Sequence, residues 1–177
     1  MYRGIAMKRL MVGVAVSAGL AAGVLLSPIG GALAGHENRV LNAELDGRAE
    51  VATGATSNKL AGDPNGRGEL YVFGIDGDPK TLCYVLTVDK IEPATAAHVH
   101  EGAAGTNGPV VVNLARPTDG NAADCLTEGE ILPSGAAAFP TGETVAEILA
   151  NPAAYYGNVH NAEYPGGAIR GQLAPER

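Results

Sequence analysis

From residue 40 onward, glycine or proline interrupts the chain roughly every eight to twelve residues, and the stretches between them alternate apolar and polar side chains. That spacing leaves no room for long helices. It suits short strands joined by tight turns. Residues 40–47, VLNAELDG, set Leu41, Ala43 and Leu45 against Asn42, Glu44 and Asp46, the period of a half-buried strand. GELYVFG (68–74) and TLCYVLTVD (81–89) flank IDGDPK, whose Asp-Gly pair signals a hairpin. In the second of these strands Leu82, Tyr84, Leu86 and Val88 share one face, and Cys83, Val85 and Thr87 the other. AAHVH (96–100) and GPVVVNL (108–114) follow, joined by a glycine-rich loop; AAYYGNVHN (153–161) and GAIRGQL (167–173) flank AEYPGG. The expectation is an all-β fold, an immunoglobulin-like or Greek-key antiparallel β-sandwich, with one short connecting helix. Thr144 and Glu147 form the capping box of that helix, Val145, Ile148 and Leu149 its apolar face, and Asn151 and Pro152 its end. Residues 115–140 read as loops around Cys125.

The N-terminus has a different character. Arg3, Lys8 and Arg9 precede the uncharged residues 10–26, then come Pro28 and GGALAG, in which Ala32 and Ala34 fit the small-residue rule for signal cleavage. The expectation is a secretory signal over residues 1–34, cleaved near Ala34, then a single domain over 35–177 in a secreted or extracytoplasmic location. Membrane attachment would require the segment to stay uncleaved, and its apolar run is at the lower limit for a span. Without it, nine basic residues face nineteen acidic ones, a net charge of −10. That charge argues against nucleic acid and anionic lipid as partners, because both would be repelled. In an exported chain the two cysteines, Cys83 and Cys125, read as a disulfide, the alternative being two free thiols. Closing their 42-residue separation is worth about 4 kcal/mol in loop entropy.

The chemistry-bearing residues are few. His98 and His100 lie two apart on a strand and so share a face, and His160 sits in a later strand. If those strands are neighbours, three imidazoles converge, a set that suits copper or zinc with an open position. Glu101 and Glu163 flank the group as a fourth ligand or as acceptors that fix the ring tautomers. The alternative is architectural: each ring ties down carbonyls of the glycine-rich loop. His36 is separate; only cleavage one residue before the expected point would make it part of an N-terminal copper chelate. DPNGRGE (63–69) begins like a calcium loop, but Arg67 stands where an oxygen ligand belongs, so it reads as a turn. Ser17, Ser27, Ser57 and Ser134 lie in no nucleophile-elbow context. Gly102, Gly105 and Gly108 are followed by no helix that would make them a phosphate cradle. No catalytic residue and no organic cofactor is assigned, and an enzyme is not expected. Arg170, the one charge in GGAIRGQL, reads either as an outward or ion-paired strand residue or as a buried guanidinium tying down the histidine region.

AHVHEGAAGTNGPVVVNL, followed some fifty residues later by NPAAYYGNVHNAEYPGGAIRGQL, resembles the CHRD (chordin) domain family. The opening LNAELDGRAEV resembles that family's first strand, and the resemblance spans about residues 39–173. On the matching positions it singles out His98, His100, Gly102, Gly105, Gly108, Pro109, Asn158, His160, Pro165, Gly167, Arg170, Gly171 and Gln172. The chain departs from the pattern at Asn161, where Thr or Ser is usual, and at Ala168, where Glu is usual. The second departure removes an acid two residues before Arg170. The resemblance implies an immunoglobulin-like β-sandwich in a secreted protein; no biochemical activity follows from it. HVHE is also similar, over four residues, to the copper-binding strand of copper/zinc superoxide dismutases, but the additional histidines of their zinc loop are missing. The expected function is therefore a secreted, non-catalytic binding or structural module whose partner is an extracellular protein or glycan. The alternative is an extracytoplasmic copper- or zinc-binding protein.

Overall fold

The computed structural model describes residues 39–52 and 61–176. The expected signal segment, residues 1–34, and His36 and Ser57 lie outside them. Among these residues the strands are β1 (Val40–Asp46), β2 (Arg67–Ile75), β3 (Asp78–Asp89), β4 (Ala94–Glu101), β5 (Val110–Leu114), β6 (Asn121–Thr127), β7 (Tyr155–Asn161), β8 (Ile169–Gln172) and β9 (Ala174–Pro175), with one α-helix, α1 (Val145–Ala150), between β6 and β7. The all-β class is as the spacing predicts. Hydrogen bonding follows one antiparallel path, β5-β4-β7-β8-β1-β2-β3-β6, with β9 on the edge of β1. Its two four-stranded halves are joined by a single rung, Asp46 opposite Arg170.

The halves face each other through their apolar sides. Leu41, Ala43 and Leu45 of β1, Leu70 and Val72 of β2, and Leu82, Tyr84 and Leu86 of β3 are buried, as alternation requires; Ala97, Val99, Val159 and Ile169 meet them from the other half. The contact is close enough to need glycine. A Cβ on Gly157 of β7 would come within 2.6 Å of a Leu70 methyl of β2. At the far end the Tyr84 hydroxyl reaches across and accepts the Ala115 amide at 2.8 Å. Helix α1 closes one end against β3 and β2, with Val145, Ile148 and Leu149 inward and both bonds of the Thr144–Glu147 capping box made.

The segment 115–140 corrects its reading as loops. Residues 121–127 form β6, paired with β3 from Thr87↔Asn121 to Thr81↔Thr127. Only Leu126 of β6 is buried, because β6 is the last strand of the path. An edge strand open to water needs no apolar alternation, so its sequence, NAADCLT, carried no periodic signal. Its register puts Cys125 directly opposite Cys83, with the sulfurs at bonding distance, 1.97 Å, and no free cysteine remains. DPNGRGE is a turn: the Asp63 carboxylate accepts the amides of Asn65 (2.9 Å) and Gly66 (3.2 Å) and is thereby occupied.

Candidate functional site

The neighbouring strands β4, β7 and β8 bring both glycine-rich blocks to one place. Their inner face packs in the core. Their outer face carries His98 and His100 (β4), Tyr156, Asn158 and His160 (β7), and Arg170 and Gln172 (β8). In register, His98 lies opposite Asn158, His100 opposite Tyr156, and Asn158 opposite Arg170. An outer face would ordinarily be wet. Here Asn158 (4 % exposed), Arg170 (2 %) and His100 (9 %) are buried beneath the loops that leave β4 and β1.

Arg170 holds the first of these loops. Its guanidinium donates to the carbonyls of Ala103 (3.4 Å) and Thr106 (2.5 Å) and to Asn107 Oδ1 (3.0 Å). Its central carbon lies 3.4 Å from the centre of the Tyr156 ring. Tyr156 stacks in turn on His100, with centroids 4.8 Å apart and planes 7° from parallel. The phenol is thus layered between an imidazole from β4 and a cation from β8. Carbonyls and a ring face surround the charge instead of an acid from its own strand, which has Ala168 at that place. Of the two readings of Arg170, the structure has the buried one, and the outward residue is corrected.

The loop itself turns on Gly105, whose φ of +80° is the left-handed region that glycine adopts without strain. Gly108 sits so close to the Glu101 carbonyl that any side chain there would collide with it. Its amide donates to the Tyr156 hydroxyl at 3.2 Å, and Asn107 donates to the Val51 carbonyl at 3.0 Å. Glu101 donates its amide to the Pro109 carbonyl, and Gly102 its amide to Ala154. Gln172 fastens the other side, donating to the carbonyls of Gly102, Ala153 and Tyr155. Gly171 lies opposite Gly157, where a side chain would strike the Glu44 carbonyl of β1.

The three histidines converge. One nitrogen from each lies within 4.8 Å of the others. His100 Nδ1 is 3.0 Å from the Gly108 carbonyl, and His160 Nδ1 is 3.1 Å from the Pro165 carbonyl. A carbonyl only accepts, so in both rings Nδ1 carries the proton and Nε2 offers a lone pair. His160 Nε2 accepts from His98 Nδ1 at 3.2 Å, while His100 Nε2 is buried without a partner. Burial holds the His98 pKa down to about 4, helped by His160 and His100; burial also lowers His160, against its bond to Pro165. His100 is lowered by burial as well, against the bond to Gly108. All three rings are neutral at neutral pH. Glu101 and Glu163 correct the expectation that they complete the group: both are exposed, and neither belongs to the cluster. The tautomers are set by backbone carbonyls instead.

Glu50 is the member that the strand pattern did not single out, although it stands in LDGRAEV. Its carboxylate accepts from Asn158 Nδ2, which also donates to the Ile169 carbonyl at 3.1 Å. The carboxylate packs against Gly167, in the space a side chain there would need. Burial raises its pKa to about 7, against the pull of Asn158 and Arg170.

A family model described as CHRD domain matches residues 41–173. The chain belongs to the CHRD domain family. No curated protein and no solved structure matches it. The match contains every residue of the outer face described above, and membership supports a structural or binding module. Among the described residues, no helix of this CHRD domain is long and apolar enough to cross a membrane.

Proposed function

We propose that this CHRD domain is exported and works without catalysis, holding an extracellular protein or glycan through the loop of residues 102–108. The observation that carries the reading is the use made of Arg170. A fully buried cation is spent on fixing the backbone of an exposed loop, from Ala103 to Asn107. Ordering a loop before it meets a partner removes that cost from binding, and binding loops on rigid scaffolds are a common use of β domains. The disulfide and the N-terminal segment support export.

The test immobilises the purified protein and probes it with fractionated culture supernatant and a glycan array, beside an Ala104→Glu variant changed only at the exposed loop tip. A partner retained by the wild type and lost by the variant is expected. Equal retention by both, or none by the wild type, rejects the loop as the binding surface. N-terminal sequencing of the secreted protein should read from Gly35; cytoplasmic protein with an intact Met1 rejects export.

A further inference from the structure

We infer that His98, His100 and His160 form a transition-metal site that takes one Cu²⁺ or Zn²⁺ ion. The inference stands apart from the loop's partner and does not depend on it. Scaffolding accounts for part of the cluster, since the Gly108 and Pro165 carbonyls each hold one ring. It does not account for His98, whose hydrogen bond is to another imidazole, nor for His100 Nε2. That atom is an acceptor on a side chain only 9 % exposed, it lacks a partner, and it belongs to a ring gathered with two others. The backbone bonds to Nδ1 are what a metal site requires of its outer contacts, because each fixes the tautomer that leaves Nε2 free.

The donor set selects the ion. Neither cysteine is available as a thiolate, and no carboxylate is in the cluster, so hard cations lack the oxygen ligands they prefer. Three neutral imidazoles suit borderline ions, with the fourth position left to water or an added ligand. His98 Nδ1 and His160 Nε2, 3.2 Å apart, subtend roughly 100° at an ion about 2.05 Å from each, close to the tetrahedral angle. The whole set spans up to 4.8 Å, against about 3.4 Å in a bound tetrahedron, so the rings draw inward on binding. The proton that His98 shares with His160 moves to the other nitrogen of the His98 ring, and every ring stays neutral. His98 and His160 are only half-buried, so the cluster meets solvent at its edge.

The test titrates untagged protein with Zn²⁺ and, separately, Cu²⁺ in a non-chelating buffer, by calorimetry, beside His98→Ala and His160→Ala. One ion per chain with a sub-micromolar Kd is expected, weakened at least 100-fold in each variant. Electron paramagnetic resonance of the copper form should show coupling to three nitrogens. Circular dichroism checks that the variants are folded; if His98→Ala is not, His98→Asn takes its place. No binding by the wild type, or unchanged affinity in the folded variants, overturns the site. So does copper binding abolished by His36→Ala alone, which assigns the ion to the N-terminus.

Discussion

Replacing Glu50 by glutamine removes one titration from the folded protein while keeping the oxygen that accepts from Asn158. In the wild type the carboxyl pKa rises from 4.5 to about 7 on folding, burial being the largest cause. A carboxyl raised in this way binds its proton more tightly when folded. Its contribution to stability is therefore complete below pH 4.5 and is lost as pH rises through 7. Integrated between pH 5 and pH 8, the loss is about 2.5 kcal/mol. The variant has no such loss. Urea unfolding at the two pH values, with the disulfide intact, measures the difference; for a slope of about 2 kcal/mol/M, the wild-type midpoint falls about 1.2 M relative to that of the variant. His98 acts in the opposite sense. Its pKa is lowered to about 4, so its contribution is lost as pH falls from 6.5 through 4. It titrates in both proteins, and the comparison cancels it. A stability gap between the proteins that is the same at pH 5 and pH 8, within about 0.5 kcal/mol, would refute the reasoning, because the carboxyl would then ionise in the fold as it does in the unfolded chain.

Reducing the bond between Cys83 and Cys125 should lower stability by about 4 kcal/mol, read as the shift between oxidised and reduced urea melts; a shift below about 1 kcal/mol would place the constraint elsewhere. Arg170→Lys keeps the charge but loses the planar fork that reaches three loop acceptors, so a loss of about 3 kcal/mol and faster proteolysis within residues 102–108 are expected. Unchanged protease resistance would mean that the loop holds without the guanidinium. Asn161 accepts the Tyr164 amide at 2.7 Å but leaves its own Nδ2 buried without a partner. Asn161→Ser should keep the turn, drop the orphaned donor and raise stability by about 1 kcal/mol, checked by thermal melting.

The strands with a buried face were legible in the chain, because burial on one side imposes a period of two. Leu41, Ala43 and Leu45, and Leu82, Tyr84 and Leu86, are buried on the face that this period predicts. The capping box was legible because both of its partners lie within one turn. β6 was not, since an edge strand with one buried side chain imposes no pattern. The candidate site divides in the same way. His98 and His100 share a face by strand geometry alone, and the family blocks pointed to His160, Asn158 and Arg170.

The sequence by itself thus determined the class of fold, the short helix and the shared face of His98 and His100. Each rests on contacts between residues close in the chain, or on a periodicity that any core-facing strand must show. Only the tertiary structure decided what those residues meet. The pairing of β4 with β7 places His160 diagonally beside His98, across 62 residues of chain, and the loop folded over the outer face turns Arg170 from a surface charge into a buried clamp. The carbonyls of Gly108 and Pro165 choose the histidine tautomers, and no residue type encodes a carbonyl. Glu50 owes its raised pKa to being covered. Burial on the polar side of a strand comes from long-range packing, and local periodicity carries no record of it.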